Sequence, residues 1–380
     1  MADTNYEMAL AVLPLFLTSG LGAPAYAIGL VEGVADGSSA VVKVASGWYS
    51  DRTPRRRGLA VAGYAATVLG FAAFAIVGAW PQAVAARAAG WMGRGLRQPI
   101  RSAMLSGSVA RRDLGKAFGF HEALDTLGAL AGPAIAYLLL MTGGGFRRVF
   151  EVAIVPGVLC VLMFALLTRD PRRPTAAADR PRWTPLPGPF WRLVAAVAVF
   201  GAGNFATAFF ILQAAAMLRP EFSPTMAASG GVLFFLASNA VGAAGSFPGG
   251  WIADRIGSVA VVAGAYALFA AACLAGMLMH GPAGVAALAL LVGLSTPLVV
   301  AQESSIAGAV VGEAVAGTAF GVLAAVNGIG DLVSSVAAGL LWTWLGPAYA
   351  FGYGALLAAA GAVLIAVLNP ARVNRPPRRP

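Results

Sequence analysis

About twelve apolar runs, each close to the roughly 20 residues needed to cross a bilayer, fill this chain, with only short Gly-, Pro- or Arg-rich breaks between them. They fall near 5–20, 23–49, 58–79, 82–109, 115–140, 148–168, 188–217, 224–252, 258–279, 283–311, 315–343 and 347–368. Apolar residues make up 59% of the 380 and charged residues 11%, against about 45–50% and about 25% in soluble domains. Water would not tolerate such a surface, whereas lipid would. The expected fold is therefore an all-α membrane protein, with runs longer than the bilayer tilted or extended into water.

The chain also repeats itself. GWYSDRTPRRR begins at Gly47 and GWIADRIG at Gly250, each after a long apolar run. A second match sets Ala117-Phe118-Gly119 against Ala319-Phe320-Gly321, and the same offset places Arg101 opposite Glu303 and Asp125 opposite Asn327. Two parallel copies of a six-helix unit are expected, the arrangement used when two bundles rock around a site near the membrane midplane. Between them lies RDPRRPTAAADRPRWTPLPGP, rich in Pro and Arg and without helical periodicity. The expected division is a first bundle over 1–168, a linker over 169–189, a second bundle over 190–369 and a tail over 370–380.

The net charge of +10 is explained by topology. Basic clusters at Arg52–Arg57, Arg111–Lys116, Arg169–Arg192, Arg255 and Arg372–Arg379 all fall on one side of the expected membrane, while only Arg147, Arg148 and Arg219 fall on the other. By the positive-inside rule the motif loops, the linker and both termini are cytoplasmic. Lipid contact accounts for the charge, and nucleic-acid binding is not supported. The first run has no basic n-region or small-residue cleavage site, so no cleavable signal peptide is expected. Cys160 and Cys273 lie in separate apolar spans and both histidines stand alone, which gives no metal site and no disulfide framework.

The loop after the second run, with Gly47, Asp51, Arg52 and Arg55, resembles the signature loop of the major facilitator superfamily. Gly250, Asp254 and Arg255 resemble its degenerate second copy. The chain departs from the usual pattern at Pro54, where glycine is common. In span 5, Gly119, Gly128, Gly132 and Pro133 have the spacing G-x8-G-x3-G-P, which resembles the superfamily's antiporter motif, although Ala136 and Tyr137 stand where two further glycines are usual. Small residues at this spacing let helices approach closely. The resemblance covers essentially the whole chain. It implies about twelve spans in two pseudo-symmetric six-helix bundles, alternating access, and residence in a prokaryotic inner membrane as a monomer.

Ionisable residues within a membrane are costly and face partners or a wet cavity. They occur in span 1 (Glu7), span 2 (Glu32, Asp36, Lys43), span 4 (Arg87, Arg94, Arg97, Arg101), span 5 (His121, Glu122, Asp125), span 10 (Glu303) and span 11 (Asp331). Arg94, Arg97 and Arg101 share one helical face, as do Glu32 with Asp36 and His121 with Asp125. Counting back through the loop between spans 4 and 5 puts Arg101 level with Glu122 and Arg97 closer to Asp125. Arg101 and Glu303, at repeat-equivalent positions, are candidates to close a gate. Arg87, near the outer end of its span, is expected to snorkel to the interface.

Asp125 and Glu32, followed by Glu7, Asp36 and Glu122, are the candidates for taking up and releasing a proton, with static pairing as the competing role. Arg94, Arg97, Asn204, Gln213, Asn239 and Asn327 are the candidates for a substrate cavity. No nucleotide-binding loop or catalytic triad spacing is present, so a gradient is expected to supply the energy, with no cofactor and no enzymatic reaction. The expected function is proton-coupled export of small organic compounds. An uptake symporter or facilitator for a small organic anion is the alternative. A membrane receptor or lipid-handling protein using the same fold without transport is the reading from another class.

Overall fold

The computed structural model describes residues 1–50, 56–108, 114–170, 186–311 and 316–370. These residues are helical almost throughout and contain no strand. Thirteen α-helices are described: α1 (Ala2–Leu15), α2 (Ala25–Ser50), α3 (Arg56–Ala72), α4 (Trp80–Ser108), α5 (Leu114–Met141), α6 (Gly145–Leu167), α7 (Gly188–Gly201), α8 (Thr207–Leu218), α9 (Pro224–Ile256), α10 (Ser258–Leu278), α11 (Gly281–Val310), α12 (Ala316–Leu345) and α13 (Pro347–Leu368).

Eight of them are long and apolar enough to cross a membrane by length and composition. The others fall short for nameable reasons. α2 carries Glu32, Asp36 and Lys43, and α4 carries four arginines. α1 has only 14 residues and continues as a π-helical turn, Phe16–Gly20. The expected span over 188–217 is split into α7 and α8.

That split has a local cause. Gly201-Ala202-Gly203-Asn204 is a poor helical sequence, and the chain leaves the helix there. The backbone groups released are taken up by α12, where Ser334 Oγ donates to the Asn204 carbonyl at 3.0 Å and Ser335 Oγ accepts from the Ala206 N–H at 3.1 Å. A broken span inside a membrane is stable only when its freed backbone groups are satisfied in this way.

The chain divides into two compact units: Met1–Ala177 with Thr207–Leu236, and Ala178–Ala206 with Ala237–Pro380. In the first unit α1 packs on α5 and α6, and α3 packs on α4 and α6. In the second unit α7 packs on α12 and α13, and α10 packs on α11 and α13. The packing of α3 on α4 and α6 is thus matched by that of α10 on α11 and α13, the helices at repeat-equivalent positions. The first unit also holds α8, which lies against α1.

Glycine permits the closest approaches. A Cβ on Gly93 would sit 2.5 Å from the backbone nitrogen of Thr67, so α3 and α4 meet backbone to backbone. In the second unit α9 and α11 approach as closely at Gly293, where a Cβ would lie 2.5 Å from the Ser238 carbonyl oxygen. Small residues at such crossings replace the hydrophobic drive that lipid does not provide.

Candidate functional site

The first unit concentrates the buried charge, and the geometry begins with α2 against α4. Arg87 Nη2 lies 2.6 Å from Glu32 Oε2 and Nε lies 3.3 Å from Oε1, a two-pronged ion pair. One turn further along both helices, Trp91 Nε1 donates to Asp36 Oδ1 at 2.6 Å. Four-residue steps on each helix keep the two contacts in register. Arg87 is 2% exposed, so it does not snorkel to the interface as its position in the span suggested. The carboxylate of Glu32 and the ring of Trp91, 3.8 Å from the guanidinium, hold it inside instead.

Aromatic rings separate the arginines of α4. The Arg94 guanidinium lies 4.5 Å from the Trp91 ring and 4.8 Å from Tyr6, and Arg97 lies 4.5 Å from Tyr64. Ring faces stabilise desolvated guanidinium groups without neutralising them. The charge of Arg94 acts on Glu7, Asp3 and Asp36 around it. Arg97 is 2% exposed, and its Nε has no hydrogen-bond partner.

Packing of α1 on α5 delivers the next carboxyl groups. A Cβ on Gly128 would lie 3.0 Å from Asp3 Cβ, and one on Gly132 would lie 2.8 Å from Glu7 Cβ and 2.9 Å from the Met8 nitrogen. Two glycines of the antiporter-like spacing are therefore the surface on which the acidic face of α1 rests. Pro133 lies within α5 beside them, and the surroundings of Gly119 fall outside the described side chains. Glu7 is half-buried, and its Oε2 has no hydrogen-bond partner.

Asp125 on α5 meets several groups. Arg101 Nη2 is 3.1 Å from its Oδ2, His121 Nε2 is 3.3 Å from the same oxygen, and the Asp3 carboxyl acts on it from α1. Arg101, not Arg97, is thus the partner of Asp125, one turn away from the depth obtained by counting. The α1–α5 glycine contact fixes the level of α5, while Arg97 is turned aside onto Tyr64. The Glu122 side chain lies outside the described residues.

In the second unit Glu303, 2% exposed, accepts a hydrogen bond from Tyr266 Oη at 2.6 Å and another from Asn327 Nδ2 at 2.9 Å. The Tyr266 ring is stacked on Phe200 with centroids 3.7 Å apart. Within their own units Arg101 is engaged by Asp125, and Glu303 by Tyr266 and Asn327. Of the other cavity candidates, Asn204 lies in the break between α7 and α8, Gln213 is half-buried on α8 and Asn239 is half-buried on α9.

The signature loop is only partly visible. Asp51, Arg52 and Arg55 lie outside the described residues, and Gly47 lies in the last turn of α2, its surroundings not among those described. In the second copy Gly250 is half-buried, Asp254 is exposed and the Arg255 guanidinium covers the Trp251 ring at 3.4 Å. Among the described residues no cluster of His, Cys, Asp and Glu could hold a metal ion.

Sequence reasoning missed Asp3, Tyr6, Tyr64, Trp91 and Tyr266 as members of these networks. Asp3 had a readable signal, since it stands four residues before Glu7 and so shares its helical face. The aromatic residues had none, because a Tyr or Trp in an apolar run gives no indication of which charge its ring or hydroxyl will meet.

Paired helical units with buried, paired charges in their spans define a membrane transporter. The family model of the Major Facilitator Superfamily matches residues 1–222. The chain belongs to the major facilitator superfamily. An uncharacterised MFS-type transporter of Methanocaldococcus jannaschii is 27% identical over 365 residues, 96% of this chain and 91% of that protein. An uncharacterised protein of Mycobacterium tuberculosis is 31% identical over 60% of each chain. Among solved structures, the nucleoside transporter NupG is similar with a TM-score of 0.76 at 15% identity, covering 99% of this chain and 97% of that one. A D-xylose–proton symporter is similar with a TM-score of 0.72 at 13% identity, covering 96% and 94%. At these identities the likeness to solved structures is one of fold.

Proposed function

We infer that this transporter is proton-coupled and exports small organic compounds by alternating access, with two six-helix halves joined by the basic linker over 169–189. The observation that carries this reading is the incomplete bonding of Glu7. A buried polar atom without a partner costs about 1–3 kcal/mol. Glu7 Oε2 is such an atom, within the field of Arg94 and Asp3. A carboxyl group of that kind is suited to gain and lose a proton as its surroundings change.

Export is favoured over uptake by the spacing of Gly119, Gly128, Gly132 and Pro133. The protein is placed in the plasma membrane of a prokaryotic cell, as a monomer among lipids, with both termini on the cytoplasmic side. Asn204, Gln213, Asn239 and Asn327 are the proposed polar contacts of the cavity.

The test is transport by purified protein in liposomes under an imposed pH gradient, with a panel of lipophilic organic cations, organic anions and neutral compounds. A compound moving against the inward flow of protons, with the drive lost in Glu7→Gln, is the expected outcome. Movement of an anion in the same direction as protons would select the symporter. If no compound in the panel moves but lipid or ligand is bound, the non-transporting reading would replace both.

A further inference from the structure

We propose that Asp3 and Asp125 form one proton site, a carboxyl pair that holds a single proton between α1 and α5 and releases it toward the cavity beside Arg101 and His121. The proposal rests on the proton-coupled reading and adds a second proton-holding group beside Glu7.

Two observations meet here. The first is the contact itself. Asp3, 6% exposed, is brought to α5 by the close approach at Gly128, where a Cβ would lie 3.0 Å from Asp3 Cβ, one turn along from Asp125, so that the two carboxyl groups face each other. Two carboxylates in contact repel unless a proton lies between them, the logic of paired acids sharing a proton. The second is a route. A cavity of about 390 Å³ is lined by Arg101 and His121, together with Tyr64, Leu105, Leu124 and Phe164. Arg101 donates a hydrogen bond to Asp125 Oδ2 at 3.1 Å, and His121 Nε2 lies 3.3 Å from the same oxygen. A proton leaving the pair therefore passes from a buried carboxyl to a group that borders open space.

The charges around the pair are set for this change. On α1, Tyr6 hydrogen-bonds Asp3 and Glu7 stands one turn beyond. From α4, Arg101 contacts Asp125 directly, and Arg97 and Arg94 act on Asp3 through space. From α3, Tyr64 hydrogen-bonds Arg101. On α5, His121 touches Asp125, and on α6 the half-buried Cys160 lies within the field of Asp3. With the proton present the two carboxyl groups carry one negative charge, opposed by Arg101. On release the proton passes to water, the pair becomes doubly negative, and the buried Arg97, whose Nε is without a partner, is the second cation available to it. No bond other than O–H is broken and no other reactant is needed.

The pair is tested by infrared titration of the full-length protein in liposomes, which reads the C=O stretch of protonated carboxyl groups without any substrate. Wild type should show a protonated carboxyl at neutral pH that disappears in Asp3→Asn and equally in Asp125→Asn, because one proton needs both residues. Glu151→Gln, which removes an exposed carboxyl group paired with Arg148 on α6, should leave that band in place. Retention of the wild-type band in either Asp variant, or its loss in only one of them, would overturn the pair. Melting curves identify any variant that has not folded, in which case the other Asp variant decides alone. The two readings fail separately. If wild-type transport is driven by a pH gradient while the Asp variants keep the band, the pair falls and the coupling stands. If the band behaves as expected but no gradient drives transport, the pair stands and the coupling falls.

Discussion

Replacing Arg87 with methionine keeps most of the side-chain volume and removes the cation that Glu32 faces. Arg87 is 2% exposed and meets both carboxylate oxygens, at 2.6 and 3.3 Å. Breaking a buried pair from one side leaves an uncompensated charge and costs about 3–5 kcal/mol. Loss of the guanidinium from the Trp91 ring, 3.8 Å away, adds roughly 0.5–2 kcal/mol. Glu32→Gln should cost about 3–5 kcal/mol for the same reason, now with Arg87 left alone. The double variant, Arg87→Met with Glu32→Gln, removes both charges and should melt closer to wild type than either single variant. The assay is thermal unfolding of detergent-purified protein followed by tryptophan fluorescence. If the double variant is as unstable as the sum of the singles, the two residues are not a pair. If Glu32→Gln melts like wild type yet loses proton drive, Glu32 is a proton carrier and its placement in a structural pair is wrong.

Gly132→Val should destabilise the protein by about 1–3 kcal/mol, since its Cβ would press on the Met8 nitrogen and Thr4 oxygen, backbone atoms that cannot turn aside; a melting curve unchanged from wild type would refute the α1–α5 contact. Tyr266→Phe leaves Glu303 with Asn327 alone and should cost about 1–3 kcal/mol, read as a lower melting temperature; Tyr266→Phe combined with Glu303→Leu should recover part of it. Ser334→Ala and Ser335→Ala free the backbone groups at the break between α7 and α8, and each should cost roughly 0.5–1.5 kcal/mol and speed amide hydrogen exchange at Ala206 in the Ser335→Ala variant; unchanged exchange would show that α12 does not hold the break.

The fold was legible because lipid imposes a simple rule on sequence. Runs of about 20 apolar residues become helices, and the matches of Gly47 with Gly250 and of Ala117 with Ala319 announced a repeat that the packing of α3 and α10 shares. The break at Gly201–Asn204 was not anticipated, although its glycines were in view, because what permits it is a pair of serines on α12, far away in sequence. The charged side chains were legible as a set but not as pairs. One helical turn is about 5.4 Å, which a long arginine side chain spans easily, so depth counting could not tell Arg97 from Arg101 as the partner of Asp125. Arg87 was misplaced for a related reason: its position along α4 was visible, but the Glu32 that holds it belongs to another helix. Asp3 shows the opposite case, a residue whose spacing from Glu7 was readable and whose meeting with Asp125 depends on two glycines of α5.

Proton-driven transport by the purified protein is the most direct test of the account. Liposomes carrying a pH-sensitive dye in the lumen are given an acid-inside gradient, and compounds of the panel are added outside. Wild type should accumulate at least one compound while protons leave in exchange, and Glu7→Gln and Asp125→Asn should lose the gradient drive while still binding that compound. Accumulation that is the same with and without the gradient, or full drive in both variants, would contradict a proton-coupling site among the buried acids of the first unit.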